Sequence, residues 1–387
     1  MNILFLTAAT GGGHIKTAQA VMQQMEQQLP GCKTRLADTL KYISPLVDRL
    51  VTGTYLNTIE KYPNVYGWFY DLSEKNELIT DLVKGFNYAL ARRLLPLFEQ
   101  FYPDVVICTH TMPLQMLSYL KLKKLLHIPV IGIVTDYTSH FFWKLNGVDA
   151  FITANEYIKW DMVKMGIGEE RIYPLGIPVA ESFLSVRERL LLLKKMGFED
   201  KPTILLMGGS LGYGGLQSVF MSLLNLQRDI QIIAVTGCNT KLKLQLEEHS
   251  RLSTKTVKIL GYTEKISELM DMADLLITKP GGITVTEALV KRLPCIIITP
   301  IPGQEERNAR FLTDSGAATR LQSCEDIDAL LNKTLDQPAV LARMSEAAKR
   351  LANPNACKDI TLLAESLAKK TSYAKHVSIA AKCAEAL

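Results

Sequence analysis

A histidine follows three glycines near the start of the chain, in the stretch LTAATGGGHIKTAQAV at residues 6–21. The apolar run before it is typical of a buried strand and the residues after it of a helix, so Gly11, Gly12 and Gly13 form the turn between them. Such glycines let a ligand approach the backbone amides. Because imidazole has a reference pKa of about 6.5, we favour for His14 a role as base or ligand contact over a structural one.

The glycine turn matches neither of the two common phosphate-binding motifs. It is not G-x-G-x-x-G and not G-x-x-x-x-G-K-[ST], so it gives no support to dinucleotide binding or to P-loop NTPase chemistry. A nicotinamide dehydrogenase is disfavoured for the same reason, since no acidic ribose-binding residue follows such a motif.

Three further polar residues follow predicted strands. His110 and Asp136 come where strands end, and His140 lies shortly afterwards in VTDYTSHFFW. With His14 they could in principle form a zinc site, but their spacing matches no metal motif. We favour a catalytic base with a nearby carboxylate that orients it, or contacts to an acceptor. The D-x-D within residues 325–328 is interpreted as a helix start capped by Ser323, so no metal site is predicted.

Short apolar runs alternate with longer amphipathic stretches, the pattern of βαβ units in doubly wound parallel sheets. Predicted strands are 2–8, 104–110, 129–136 and 149–155, then 202–210, 230–237, 256–262, 274–282 and 294–303. A linker with proline and glycine at 173–183 separates the two series. We therefore predict an α/β protein with Rossmann-like domains at 1–178 and 179–365, facing each other across a cleft, and a helical tail at 366–387.

In the predicted second domain, glycines and polar side chains follow strand after strand. MGGSLGYGG at 207–215 and TKPGG at 278–282 offer amides and a serine hydroxyl to phosphate oxygens. Glu287 could accept hydrogen bonds from ribose hydroxyls, and PIPGQEERN at 300–308 brings groups that could bind sugar hydroxyls. Together these loops predict a nucleotide-diphosphate-sugar pocket. The residues assigned to it are Gly209, Ser210, Gly237, Asn239, Gly281, Gly282, Thr284, Glu287, Gln304, Glu305 and Asn308.

Because the phosphates are predicted to bind the second domain, we assign the opening glycine loop to the opposite, acceptor side of the cleft. Residues 41–103 contain no convincing strand, and aromatic residues crowd YLNTIEKYPNVYGWFYDL at 55–72. This excursion is either helical packing on the first domain or a lipid-facing patch, since Trp and Tyr favour the bilayer interface. The acceptor side is predicted to comprise Gly12, Gly13, His110, His140, Trp68 and Phe69.

Composition narrows the partners and the compartment. The 387 residues are 48% hydrophobic and carry a net charge of +5, which is too mild to indicate a nucleic-acid protein but suits contact with anionic phosphates or lipid headgroups. Seven cysteines without C-x-x-C pairs favour reduced thiols in a cytosolic protein. Neither a signal peptide nor a membrane-spanning segment is recognisable.

Four motifs, GGGH, GGSLG, TKPGG-x-T-x-x-E and PGQEERN, resemble those of the GT-B glycosyltransferases in the diacylglycerol glycosyltransferase and monogalactosyldiacylglycerol synthase group, over roughly residues 1–365. The resemblance implies the GT-B fold and inverting transfer from a UDP-hexose to diacylglycerol on the cytosolic membrane face. It also implies that no metal or cofactor is required, because the UDP-sugar is a substrate and amides with helix dipoles offset the charge of departing UDP.

The resemblance also implies residue roles. His14 matches the proposed base of the family. Ser210 and the amides of Gly209, Gly281 and Gly282 would hold the diphosphate, Tyr262 the uracil, Glu287 the ribose, and Gln304 with Glu305 the hexose.

We therefore expect a UDP-hexose:1,2-diacylglycerol glycosyltransferase, cytoplasmic and peripheral on the inner face of the cell membrane, with glucose favoured over galactose. Three alternatives remain: a GT-B transferase with a polyprenyl-linked or soluble acceptor, a UDP-sugar epimerase, or a UDP-sugar sensor without turnover.

Overall fold

A computed structural model describes residues 1–8, 12–50, 53–54, 85–212 and 215–384, with side chains as far as Thr371. These residues form two six-stranded sheets in which every pairing is parallel. Their central strands are buried on both faces, as runs of Val, Ile and Leu require.

The first sheet has the order β2-β1-β3-β4-β5-β6. Leu6 pairs with Cys108, and Cys108 with Gly132, so the loops that follow these strands emerge side by side. The order reverses between β1 and β3, which places a binding crevice at the carboxyl ends of these two strands. The bounds are Asn2–Thr7 (β1), Lys33–Asp38 (β2), Val105–Cys108 (β3), Val130–Ile133 (β4), Ala150–Ile152 (β5) and Ile172–Tyr173 (β6).

The second sheet has the order β12-β11-β10-β7-β8-β9, in which the order reverses between β7 and β10. Met207 pairs with both Val235 and Thr278, and Thr278 with Ile297, so four loops leave this sheet at one edge. The bounds are Thr203–Met207 (β7), Gln231–Val235 (β8), Val257–Leu260 (β9), Leu275–Thr278 (β10), Cys295–Ile297 (β11) and Ala318–Arg320 (β12).

Helices connect the strands and cover the sheets. Their bounds are Gly12–Gln28 (α1), Thr39–Ile43 (α2), Leu95–Phe101 (α3), Thr111–Leu122 (α4), Glu156–Lys164 (α5), Arg189–Met196 (α6), Leu216–Asn225 (α7), Thr240–Ser250 (α8), Ile266–Met272 (α9), Gly282–Val290 (α10), Gln304–Asp314 (α11), Ile327–Thr334 (α12), Pro338–Leu351 (α13) and Ala356–Ala384 (α14). Residues 45–50 and 85–91 are also helical.

The last helix returns to the first domain. Cys357, Ile360 and Ala364 of α14 pack in the core cluster that contains Ile3 and Val21 of the first sheet and α1. The helix runs through the boundary predicted at residue 365, so the segment predicted as a tail continues an element that already packs on the first domain.

The linker at 173–183 is fixed where α14 begins. Asn353 Nδ2 donates to the carbonyl oxygen of Leu175 (2.7 Å), and Cys357 Sγ donates to that of Val179 (3.4 Å). Gly176 has a φ of +91°, and a β-carbon there would lie 2.6 Å from Cβ of Asn353. The two segments that connect the domains, the linker at 173–183 and the residues at the start of α14, therefore pack against each other.

Candidate active site

The two domains meet at the carboxyl ends of their strands. The amide of Gly12 donates to Oγ of Ser210 across the cleft (3.4 Å), and a β-carbon on Gly13 would lie 2.9 Å from Cγ1 of Ile283. The N-terminus of α1 therefore faces the glycine loops of the second domain. Because they lack side chains, Gly12 and Gly13 allow the two domains to approach each other closely here. The acceptor-side role expected of both glycines stays a prediction.

His14 lies in the first turn of α1, and its ring is held by the neighbouring strand ends. Nδ1 lies 2.7 Å from the carbonyl oxygen of Thr109 and 3.2 Å from Oγ1 of Thr135. Because a carbonyl oxygen only accepts hydrogen bonds, Nδ1 carries the proton and Nε2 presents a lone pair. Burial lowers the pKa of His14 to about 4, which the hydrogen bond to Thr109 partly opposes, so the ring is neutral at pH 7.

His110 packs edge-on against His14, with ring centroids 4.8 Å apart. Its Nδ1 accepts a hydrogen bond from the backbone N–H of Met112 (3.1 Å) and thereby caps α4. Burial, and secondarily the proximity of His14, hold the pKa of His110 well below its ordinary value. His110 therefore joins His14 in one cluster as a neutral ring.

Asp136 follows β4 but does not orient the base, contrary to the arrangement expected from the sequence: the orienting group is the Thr109 carbonyl. Asp136 Oδ1 instead accepts a hydrogen bond from Nδ2 of Asn308 in the second domain (2.9 Å). Burial raises the pKa of Asp136 to about 6, while the hydrogen bond from Asn308 lowers it.

Asn308 is fully buried and connects the two domains. Besides Asp136, Nδ2 donates to the carbonyl oxygen of Pro280 (3.0 Å), and Oδ1 accepts from the amide of Tyr137 (2.8 Å). Both amide hydrogens are thus engaged by protein atoms, so a contact from Nδ2 to a sugar hydroxyl would require one of these bonds to break.

The glycine loops of the second domain lie against one another. Gly237 has a φ of +59°, and a β-carbon there would lie 2.4 Å from the carbonyl oxygen of Ser210 and 2.6 Å from that of Gly209. The amide of Cys238 donates to the same Ser210 carbonyl (2.9 Å). The loops after β7 and β8 therefore form one backbone-lined surface, as their predicted phosphate-binding role needs.

The loop after β10 opens α10 at the cleft. Gly281 is its N-cap, and Thr284 lies half-buried in its first turn. Gly282 contacts the first domain: a β-carbon there would lie 1.9 Å from the carbonyl oxygen of Thr135. The amide of Gly281 donates to the carbonyl oxygen of Lys279 (2.9 Å), so the amides of the first turn of α10 are the ones suited to bind an anion. Gly282 also permits the domains to touch.

A cavity of about 320 Å³ between the domains contains Glu287, Lys16 and Tyr262 in its lining. Glu287 is 5% exposed, and burial raises its pKa to about 7 although the charge of Lys16 opposes the shift. The Lys16 ammonium lies 5.9 Å from the centroid of the Tyr262 ring. The residues predicted for ribose and uracil therefore share one cavity, to which the first domain adds a cation.

The start of α11 brings two charged side chains together. Glu305 is 6% exposed, its Oε1 lies 2.7 Å from Nζ of Lys279, and its Oε2 accepts from the amide of Ile301 (3.1 Å). Gln304 is half-buried at the first position of the helix. Glu305 is thus paired with Lys279, a residue of the TKPGG stretch that was not among the predicted site residues.

Two predicted site residues make local capping contacts. Asn239 Oδ1 accepts from the amide of Leu242 (2.9 Å) at the start of α8. Buried His140 accepts at Nδ1 from the amide of Phe142 (3.1 Å). Both are N-cap interactions. Ser323 likewise accepts from the amide of Glu325 (3.3 Å), which confirms the capping interpretation there. Trp68 and Phe69 lie outside the described residues.

Sequence reasoning missed several groups that the structure brings into the site. They are Lys16, Thr109, Thr135, Tyr137 and Lys279. For Lys279 a signal existed, since a cation precedes the glycines of TKPGG. Thr109 acts through its backbone, which carries no sequence signal.

Within the described part of the chain, no group of three His, Cys, Asp or Glu side chains could hold a metal ion, and no helix is long and apolar enough to cross a bilayer.

Comparisons with known proteins match this architecture. The model of the monogalactosyldiacylglycerol (MGDG) synthase family matches residues 14–179, and that of the glycosyltransferase family 28 C-terminal domain matches 203–360. A processive diacylglycerol beta-glucosyltransferase of Bacillus mycoides is 32% identical over 374 residues, 94% of either chain.

Solved structures share the fold at low identity. MurG of Acinetobacter baumannii aligns with a TM-score of 0.62 and 19% identity, over 94% of this chain and 99% of that one. HepE of Anabaena in complex with UDP-glucose aligns with a TM-score of 0.56 and 14% identity, over 96% of this chain and all of that one (100%).

Two Rossmann-like sheets that face a common cleft, with glycine loops at the edge of the second, define the GT-B fold, which confirms the predicted fold class. The chain belongs to the diacylglycerol glycosyltransferase and MGDG synthase family.

Proposed function

We propose that this protein transfers a hexose, with glucose favoured over galactose, from a UDP-sugar to the free hydroxyl of 1,2-diacylglycerol, with inversion at the sugar carbon. The observation that carries this proposal is the Nδ1 contact of His14 to the Thr109 carbonyl (2.7 Å), which leaves Nε2 unprotonated in the first turn of a helix whose start contacts the second domain. The relatives named processive diacylglycerol beta-glucosyltransferases support both the acceptor and the choice of glucose.

The donor would lie along the loops of the second domain. The amide of Gly209, the amides of the first turn of α10 and the hydroxyl of Ser210 suit a diphosphate, whereas the amide of Gly281 already donates to the carbonyl oxygen of Lys279 (2.9 Å). Glu287 and Tyr262 line the cavity proposed for the nucleoside. The solved structures of HepE with UDP and with UDP-glucose support a UDP-sugar donor on this fold. No cofactor enters the proposal, because the UDP-sugar is a substrate.

The chemical step would be a single displacement. The acceptor oxygen forms a bond to C1 of the hexose, the bond from C1 to the β-phosphate oxygen breaks, and its electron pair leaves with UDP. The acceptor proton passes to Nε2 of His14. Although the lowered pKa makes His14 a weak base in the ground state, the hydroxyl becomes strongly acidic as it bonds to C1, so the proton moves late in the displacement.

The acceptor would reach the cleft from an anionic membrane surface on the inner face of the cell membrane. Exposed apolar side chains, Leu46 (76%), Leu50 (70%), Phe86 (48%) and Leu122 (54%), lie on helical segments of the first domain. Tyr88 stacks on Tyr119 with centroids 4.7 Å apart, so residues 85–91 and α4 are neighbours. Exposed basic residues follow two of these segments in the sequence: Arg92 and Arg93 come after residues 85–91, and Lys123 and Lys124 come after α4. Apolar groups beside cations suit anionic headgroups.

The test uses vesicles of diacylglycerol in anionic phospholipid with radiolabelled UDP-glucose or UDP-galactose. We expect label in the organic phase, with UDP-glucose the better donor, and mass spectrometry of the lipids counts the added hexoses. His14→Ala should lower turnover at least about 100-fold while UDP still binds. His249→Ala, on α8 of the second domain, is the matched control.

Near-normal turnover by the His14→Ala variant would contradict the role of the base. Label that stays in the aqueous phase would contradict the lipid acceptor. Polyprenyl-linked and soluble acceptors are then assayed in turn. Interconversion of UDP-sugars would indicate an epimerase. Binding of a UDP-sugar without turnover of any substrate would indicate a sensor.

A further inference from the structure

Lys279 lies at the point where the strand order of the second sheet reverses. It directly follows β10, whose neighbour β7 leads into the Gly209–Ser210 loop. In doubly wound sheets, this crevice is where ligands bind. The lysine side chain is 16% exposed and therefore neither a surface cation nor fully enclosed.

The side chain of Lys279 lies against the glycine loop that follows β7. A β-carbon on Gly209 would lie 3.2 Å from Cε of Lys279, and the φ of Gly209 is +70°. Any larger residue at position 209 would therefore crowd the lysine as well as strain the backbone. The ammonium is thus held beside the same backbone surface that the diphosphate is proposed to contact.

Glu305 fixes the ammonium from the other side. Oε1 lies 2.7 Å from Nζ, while Oε2 accepts from the amide of Ile301, so the carboxylate is held at both oxygens. An ammonium has three hydrogens, and Glu305 takes one of them. Lys279 can therefore bind an oxyanion without leaving Glu305.

The pair also lies close to the first domain. Asn308, one turn after Glu305 on α11, donates both to Oδ1 of Asp136 (2.9 Å) and to the carbonyl oxygen of Pro280, the residue after Lys279 (3.0 Å). Asp136 follows β4 of the first sheet, on the acceptor side. The ammonium is therefore near the place where donor and acceptor must meet.

We propose that Lys279 binds the β-phosphate of the nucleoside diphosphate and offsets the charge that develops on its oxygen as the bond to the sugar breaks, and that Glu305 positions Lys279 for this task. The inference rests on the proposed function, since it assumes a nucleoside-diphosphate sugar. It changes the role of Glu305 from a sugar contact to a positioning residue. When the bond between C1 and the β-phosphate oxygen breaks, the electron pair remains on that oxygen, next to a fixed cation.

The experiment compares the binding of uridine, UMP and UDP by isothermal titration calorimetry. Lys279→Met should weaken UDP binding about 10- to 100-fold, the range for loss of a charge-assisted hydrogen bond, and leave uridine binding unchanged. Its UDP affinity should also depend less on salt concentration. Lys279→Arg should retain most of the affinity. Lys349→Met, which removes an exposed lysine on α13, is the control for charge.

Two variants separate the contact from a folding defect. Lys279→Met leaves the buried Glu305 carboxylate without its cation, which is destabilising. The double variant Lys279→Met with Glu305→Gln removes both charges and should fold normally with the same selective loss of UDP binding. Glu305→Gln with Lys279 intact should show a smaller loss of UDP affinity and a lowered kcat.

Equal losses of uridine and UDP affinity, or unchanged UDP affinity in the double variant, would overturn the inference. If the unsubstituted protein binds none of the three compounds, the proposed function fails instead, so the two failures are distinguishable.

Discussion

A β-carbon on Gly282 would lie 1.9 Å from the carbonyl oxygen of Thr135, so α10 of the second domain touches the loop after β4 of the first domain backbone to backbone. Neither atom belongs to a side chain that could rotate away. The contact therefore limits how closely α10 and the glycine loop before it can approach the first domain, to which His14 belongs.

Replacing this glycine should hold the cleft open. In Gly282→Ala the added methyl group meets the Thr135 carbonyl, while the local helix conformation tolerates alanine. We expect kcat/KM to fall about 100-fold or more, since displacements of about 1 Å at a reacting centre have that effect. Small-angle X-ray scattering should show a larger radius of gyration.

Gly281→Ala provides the control for the shape measurement. Gly281 has a φ of −67°, and its β-carbon would meet no atom within 4 Å. Its radius of gyration should equal that of the unsubstituted protein. An unchanged radius in the Gly282→Ala variant would show that the interface adapts to the methyl group.

The interdomain contact of Asn308 should be sensitive to charge. Asn308→Ala removes the hydrogen bonds to Asp136, Tyr137 and Pro280, and we expect kcat/KM to fall about 10-fold or more. Asn308→Asp should be worse at pH 8 than at pH 5.5, because the new carboxylate faces that of Asp136, whose pKa burial raises to about 6.

Tyr137→Phe is the milder comparison at this interface. It removes the hydroxyl contact to Oγ1 of Thr286 (2.9 Å) and leaves the ring stacked on Phe311, so a loss below that of Asn308→Ala is expected. If Asn308→Asp shows the same relative activity at both pH values, the carboxylate pair is not the cause of its defect.

The sequence pattern predicted the central strands and missed most edge strands. All nine predicted strands are present, whereas β2, β6 and β12 were not predicted. Each of the three lies at the edge of a sheet. A strand such as KTRLAD at 33–38 is only partly buried, so it has no continuous apolar run to recognise.

The parts of the site that lie within one domain were predictable from the sequence, and the contacts between the two domains were not. The glycine loops were found because a turn from strand to helix has a sequence pattern. The partners of Asn308 and Gly282 belong to the other domain, and no local pattern encodes how two domains orient. The same holds for Asp136, which contacts Asn308 rather than the histidine cluster.

A buried ion pair should hold the segment after the interdomain linker. Lys291 and Asp271 are each 1% exposed, with Nζ 2.6 Å from Oδ1, and Arg187 Nη1 lies 3.2 Å from Oδ2. Asp271→Asn leaves Lys291 uncompensated and should lower the free energy of unfolding by about 3–5 kcal/mol. Lys291→Met should cost less, because Asp271 retains Arg187.

Urea unfolding followed by tryptophan fluorescence measures this difference. Glu346→Gln is the control, since it breaks the exposed pair with Lys349, whose side chains are 50% and 56% exposed, and should change stability by less than about 1 kcal/mol. Equal effects of Asp271→Asn and Glu346→Gln would contradict the importance of the buried pair.

The affinity for uridine should rise with pH because of Glu287. Burial raises the pKa of this carboxyl to about 7, so it is mostly protonated at pH 6 and mostly charged at pH 8. The charged form accepts hydrogen bonds from ribose hydroxyls more strongly. If that form alone binds, the apparent affinity increases about 10-fold between these pH values.

Uridine is the suitable probe for Glu287 because it carries no phosphate that titrates in this range. Calorimetry should show a flat profile for Glu287→Gln. In Lys16→Met the midpoint should move to higher pH, since the charge of Lys16 lowers the pKa of Glu287. A rise that persists in Glu287→Gln would assign the pH dependence to another group, and a flat profile in the unsubstituted protein would mean that Glu287 does not bind the ribose as a carboxylate.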